Sequence, residues 1–100
     1  MTQVVNIKSG DQYDVYIGRS GKGIYSEFGN PFPVPQYSIF KSLKLYELHL
    51  RNRLIVDPDF KSRLLALDGK RLGCFCKPNL CHGDVIIKLI NELKNDLQNA

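Results

Sequence analysis

The sequence predicts a small α/β domain: a three-stranded sheet, built from an N-terminal β-hairpin plus one later strand and covered by about three helices. Three observations carry that reading. Two short runs near the N-terminus, Val4–Ile7 and Tyr13–Ile17, are rich in β-branched and aromatic residues, with the turn residues Lys8-Ser9-Gly10-Asp11 between them. From Ile39 onward apolar residues recur every three or four positions, as one face of a helix requires. A third strand candidate, Arg71–Cys76, separates the middle helices from a strongly amphipathic C-terminal one. At 100 residues the chain is expected to be a single domain, 1–100.

Between the hairpin and the first helix, Gly18 to Pro35 holds glycines at 18, 21, 23 and 29 and prolines at 31, 33 and 35. Such a stretch reads as a loop, because Gly costs entropy in a helix and Pro lacks a donor and clashes with the preceding turn. Loops of that length in small domains are usually functional or mobile. Ser38 then caps a helix whose stripe is Ile39, Leu43, Tyr46, Leu50 and Leu54. Asp57-Pro58 reads as the next helix start, a capping acid followed by Pro where its missing N–H costs nothing. Phe60, Leu64 and Leu67 line that helix and Asp68-Gly69 ends it. The last helix buries Val85, Ile86, Leu89, Ile90, Leu93 and Leu97, leaving Lys88, Glu92, Lys94 and Asp96 outside.

A composition of 43% hydrophobic and 24% charged residues excludes a disordered or low-complexity chain. No run approaches the about 20 apolar residues that cross a bilayer. Met1 to Gln12 lacks the charged start and apolar core of a secretory leader, so a cytoplasmic protein with no membrane partner is expected. The net charge of +4 favours anionic partners without demanding nucleic acid. Lys61, Arg63, Lys70, Arg71 and Lys77 fall together with Asp68 as their sole acidic neighbour, which fits an anion-facing surface or a solvated helix face equally. The three cysteines, Cys74, Cys76 and Cys81, are odd in number and clustered, and read as reduced thiols rather than a disulfide scaffold.

The chemistry-bearing segment is Gly73–Asp84. On a strand, Cys74 and Cys76 share a face and Phe75 points the other way, until Pro78 and Asn79 break the strand. The last helix is capped at Asn79, His82 or Asp84. In each case Cys81 lies near a helix N-terminus, where free N–H groups and the positive dipole end stabilise a thiolate or an anion, and Lys77 adds charge. Three readings stay open. Cys81 is an activated nucleophile or part of an oxyanion cradle, with His82 or Asp84 as proton carrier. Against that, sequence neighbours on a helix point about 100° apart, which makes direct Cys81–His82 pairing poor. Alternatively Cys74, Cys76, Cys81 and His82 supply the donor types of a zinc site, although such ligands normally come from two well-separated knuckles. Or the cysteines are simply small buried hydrophobes. A Cys74–Cys76 disulfide is disfavoured by strand geometry. No metal or cofactor is assigned.

A second constellation is Tyr16-Ile17-Gly18-Arg19, then Ser20-Gly21-Lys22-Gly23, then Phe28-Gly29-Asn30-Pro31-Phe32. Gly18 and Gly29 would let backbone N–H groups approach an anion, Arg19 offers a two-pronged donor and Lys22 a point charge, with Tyr16 and Asn30 beside them. The spacing is not that of a Walker loop, and a surface Gly/Lys turn is the plainer account. Asn30-Pro31 is also a turn signal able to fix the loop. His49, inside the middle helix, needs no function.

Tyr16–Arg19, Gly29–Phe32, Gly69–Cys76 and Cys81–Asp84 together resemble the bacterial and phage family named domain of unknown function 4326. Phe28 and Phe75 stand where its members often carry Trp, and the loop from Arg19 to Gly29 is longer than usual. The Cys-x-Cys…Cys-His ending is similar to that of domain of unknown function 488, where an Arg follows Cys-His; Gly83 stands there in this chain. The resemblance implies a fold and a site rather than a reaction. The expectation is therefore a cytosolic domain, in the host cytoplasm if phage-encoded, that binds a nucleotide, a phosphorylated small molecule or a nucleic-acid end. Tyr16, Gly18, Arg19, Gly29, Asn30, Cys74 and Cys76 are the candidate binding residues; Cys81, His82 and Asp84 are the candidates for thiol-dependent catalysis. The alternative is a non-catalytic interaction factor, a phage-encoded modulator of a host protein acting through an exposed apolar or basic surface.

Overall fold

Along the chain come β1 (Gln3–Asn6), a 3-10 turn (Ile7–Ser9), β2 (Val15–Tyr16), α1 (Ile39–Val56), α2 (Phe60–Leu65), β3 (Arg71–Cys74) and α3 (His82–Asn99). The structure is a computed structural model that describes residues 2–18, 27–32, 38–74 and 81–99, with the side chains of 97–99 excepted. The α/β class, the three strands and the three helices are as expected.

The hairpin is not. β1 and β2 do not pair with each other; each runs parallel to β3, which lies between them in the order β1-β3-β2. Val4 and Val15 both register with Leu72, and Val5 and Tyr16 both register with Gly73. After β1 the chain makes its 3-10 turn, passes Gly10 in the left-handed conformation (φ 81°) and runs back across the sheet to begin β2 on the far side of β3. Parallel connections usually need about a dozen residues or more, commonly with a helix. This one is shorter because it lies flat on Gly73, where a Cβ would stand 2.7 Å from Tyr13 Cγ and 3.0 Å from Ile7 Cδ1. Two β-rich runs around turn residues look the same for a hairpin and for such a crossover. The distant partner strand decides between them.

Register partners in a ladder share a face, so Val4, Val15 and Leu72 lie on one side of the sheet and Val5, Tyr16 and Gly73 on the other. α3 packs on the first side, with α1 and α2 against it. Ile17, Leu72 and Cys74 join Tyr46 and Leu50 of α1, Phe60 and Leu64 of α2, and Ile86, Leu89 and Ile90 of α3 in a continuous buried core. Ser38 caps α1 as expected, its hydroxyl accepting the Lys41 N–H at 3.1 Å. α2 begins at Phe60, later than Asp57-Pro58 predicts. Asp57 is occupied as the C-cap of α1, its N–H bound to the Arg53 carbonyl, while its carboxylate accepts the Asp59 N–H at 3.1 Å. The expected continuation of β3 to Cys76 lies outside the described residues.

Two cations of the basic run are engaged within the chain. Arg63 pairs with Asp57 at 2.7 Å and Glu27 at 3.0 Å, and Arg71 pairs with Asp14 at 3.1 Å. Lys77 lies outside the described residues.

Candidate functional site

Because both pairings are parallel, β1, β2 and β3 all end at the same edge of the sheet, at Asn6, Tyr16 and Cys74. The described start of α3 reaches that edge too: a Cβ on Gly83 would stand 2.6 Å from Val4 Cγ2 and 2.9 Å from Ile17 Cδ1. The carboxyl edge of a parallel α/β sheet is where such folds hold ligands.

Cys81 is the N-cap of α3. Its Sγ accepts the Gly83 N–H at 3.4 Å, and its own N–H donates to Asp84 Oδ2 at 3.2 Å. The pair resembles a capping box, with a thiol in place of the usual hydroxyl and the second helical N–H on it, while the third, that of Asp84, goes to the Cys81 carbonyl at 2.9 Å. Of the expected caps, Asn79 lies outside the described residues, His82 is the first helical residue, and Asp84 serves the cap from the third position. Standing before the first turn, Cys81 escapes the 100° divergence of helical neighbours. Its Sγ lies 3.8 Å from His82 Nδ1, so the expectation that the two pair poorly is corrected.

His82 is oriented from its other nitrogen. Nε2 donates to the Ile17 carbonyl at 2.5 Å, tying the α3 start to the residue that follows β2. A carbonyl only accepts, so Nε2 carries the proton, and in the neutral ring Nδ1 is the basic nitrogen facing Cys81. Cys81 Sγ also touches Cys74 Sγ at 3.1 Å, and both are buried thiols outside any disulfide. The group is enclosed: His82 is 6% exposed and Cys81 0%.

Tyr46 of α1 closes the other side of the imidazole, ring edge against ring at 5.1 Å and 81°. Its hydroxyl donates to the Phe28 carbonyl at 2.6 Å. Burial, reinforced by the negative charge that Cys81 can carry, pushes the phenol far above its ordinary pKa, so it stays a neutral donor. Ser42, one turn earlier, donates to the Phe32 carbonyl at 2.7 Å and accepts from Asn30 Nδ2 at 2.8 Å. Asn30 Oδ1 takes the Phe32 N–H at 2.9 Å. Glu27, bound to Arg53 at 3.4 Å and Arg63 at 3.0 Å, completes the bracing of residues 27–32 on α1 and α2.

The structure thus brings Cys74, Cys81, His82 and Asp84 to the end of β2, and links the Gly29-Asn30 loop to them through Tyr46. Tyr16 goes elsewhere: its register places it on the face opposite Leu72, and its ring lies where a Gly18 Cβ would stand. The side-chain amide of Asn30 holds its own loop in place. Arg19, Lys22 and Cys76 lie outside the described residues. Among the described residues no three His, Cys, Asp or Glu side chains form a metal-ligating group. Sequence reasoning took Tyr46 as a stripe residue and passed over Ser42. Their signal was two hydroxyls four residues apart on an apolar face, which demands buried partners.

The chain matches, over residues 5–92, the family model described as Domain of unknown function (DUF4326). It belongs to that family. This DUF4326 member is similar to the "Uncharacterized 12.4 kDa protein in nrdA-td intergenic region" of Enterobacteria phage T4, with 34% identity over 99 residues covering 98% of this chain and 86% of that protein. No solved structure matches it. Its Tyr16–Arg19, Gly29–Phe32, Gly69–Cys76 and Cys81–Asp84 stretches all fall within the matched region. No described helix of this DUF4326 member is long and apolar enough to cross a membrane.

Proposed function

We propose that the carboxyl edge of the sheet binds a nucleotide, a phosphorylated small molecule or a nucleic-acid end, with Cys81 as nucleophile and His82 as its base. The observation that carries this reading is the ordered series Ile17 carbonyl, His82 Nε2–H, His82 Nδ1 and Cys81 Sγ, at 2.5 Å and 3.8 Å for its two contacts. A nucleophile, a base beside it and a third group that fixes the base's tautomer are the parts such chemistry needs. The Gly83 N–H on Sγ and the helix start favour negative charge on the sulfur. Arg19, next in sequence to the Gly18 that follows this carbonyl, is the proposed anion-binding cation. Burial of both side chains means that a ligand reaching Sγ must open the protein around it, which excludes water from the reaction. Contacting thiols that form no disulfide support a reducing compartment, the host cytoplasm for a phage-encoded protein.

The test is a melting-temperature screen of the wild-type chain against inorganic phosphate and the adenosine mono-, di- and triphosphates. A shift in the wild type that is lost in Arg19→Ala is expected, and turnover of a bound probe, where it occurs, disappears in Cys81→Ser while the shift remains. Absence of any shift in the wild type overturns the reading.

One observation favours the interaction reading instead. Phe40, Leu48 and Ile55 are 72%, 56% and 81% exposed and fall on one outer stripe of α1. A host protein captured equally by wild type, Cys81→Ala and Arg19→Ala, but lost in Phe40→Asp and Ile55→Asp, would support a modulator and not a ligand site.

A further inference from the structure

Cys74 ends the central strand and Cys81 caps the helix that follows, and their sulfurs meet at 3.1 Å in the core. A disulfide needs about 2.0 Å between sulfurs, so closing it asks for roughly 1 Å of motion. The two sulfurs are not equivalent. Cys81 Sγ receives the Gly83 N–H at 3.4 Å and faces His82 Nδ1 at 3.8 Å, so its thiolate is stabilised and its proton has a base to go to. Cys74 Sγ meets Cys81 Sγ from the strand side of the same contact.

We propose that Cys74 and Cys81 are a peroxide-responsive dithiol, with Cys81 the attacking and Cys74 the resolving cysteine. In the first step the Cys81 thiolate displaces hydroxide from a peroxide, forming the sulfenic acid; the sulfur is oxidised and the O–O bond breaks. In the second the Cys74 sulfur attacks Cys81 Sγ, forming the S–S bond and releasing water, its own thiol proton leaving with the hydroxyl. With hydrogen peroxide the sum is two thiols and one peroxide to one disulfide and two waters. A peroxide is the oxidant the enclosure favours, since it is little larger than water, whereas glutathione disulfide cannot reach sulfurs that are 0% and 1% exposed without large opening. The bond joins the end of β3 to the start of α3 and removes the Cys81 sulfur from His82. Its consequence for ligand chemistry rests on the reading above; its formation does not.

The experiment treats the folded full-length chain with one equivalent of hydrogen peroxide, removes the excess, unfolds the chain in guanidinium containing N-ethylmaleimide so that every remaining thiol is reached, and locates the label by peptide fragmentation. The expected result is a chain lacking two hydrogens, labelled at Cys76 alone, and relabelled at all three cysteines after dithiothreitol. The same treatment in urea should scatter the label among the three positions, and Cys76→Ser should still form the bond. Label remaining on Cys74 or Cys81 of the folded chain, or Cys81 recovered as sulfinic acid, overturns the proposal. These readouts involve no ligand, so failure of the ligand screen leaves them standing.

Discussion

At Gly83 the first turn of α3 comes so near the sheet that no side chain fits between them. The atoms a Cβ would meet are the methyls of Val4 and Ile17, short branched groups that cannot swing aside. Gly83→Ala is therefore expected to cost about 1–3 kcal/mol, the usual range for overpacking, read as a lowered urea midpoint with unchanged slope. Gly73→Ala meets chiefly the ring of Tyr13, which is 45% exposed and has solvent to move into, so it should cost less. A reversed order would show that α3 does not rest on Val4 and Ile17. At this scale the sequence drew attention to the right residues and left their reasons open. The Cys-His-Gly-Asp run could be read as a helix start, but which residue caps it depends on whether the preceding thiol reaches a helical N–H. That distance exists only in three dimensions.

The helices are joined across their surfaces by ion pairs rather than by one deep bridge. Glu47 of α1 holds Lys88 of α3 at 3.0 Å and Arg51 at 2.9 Å, and Arg51 in turn holds Glu92 at 3.0 Å. Elsewhere Asp14 binds Arg71, Asp57 binds Arg63, and Asp68 binds Lys94 and Thr2. In each case the hydrogen bond to a cation is the strongest influence and holds the carboxyl below the usual carboxylate range: Lys88 for Glu47, Arg71 for Asp14, Arg63 for Asp57 and Lys94 for Asp68. A carboxyl lowered in the folded state stabilises the fold above its unfolded pKa and loses that contribution as pH falls through the folded value. The melting temperature should therefore be flat above about pH 5 and fall below about pH 4. The fall should be shallower in high salt, because these groups are largely exposed and screened. A melting temperature that rises on acidification would refute this account. The helices themselves were legible, since periodicity and caps are local signals. The pairs were not, because Glu47 and Lys88 lie on different helices.

Both N-terminal strands depend on a strand that arrives more than fifty residues later. Val4 and Val15 have no ladder partner until Leu72 is in place between them. A fragment of residues 1–68 is accordingly expected to lack the sheet, with amide protons at Val5 and Ile17, the latter bound to the Gly73 carbonyl at 3.0 Å in the full chain, exchanging as in an unfolded chain. In the full chain both should be protected and both should show proximity to Gly73, with none between β1 and β2. A hairpin detected in the fragment would contradict the parallel topology. The same connectivity explains the site, since parallel strands send all their ends to one edge, where the Cys81–His82 pair meets the Ile17 carbonyl.

Composition, periodicity and turn residues by themselves determined the α/β class, the number of described strands and helices, the apolar stripes, and a helix start rich in thiol and imidazole, because these are properties of neighbouring residues. Tertiary structure alone decided that the early strands lie apart and parallel, that Tyr46 and Ser42 brace the loop, and that Cys81 touches Cys74 and His82. Each of those depends on which distant segments share the same few ångströms, and short runs of residues fit several such partners until the whole chain packs.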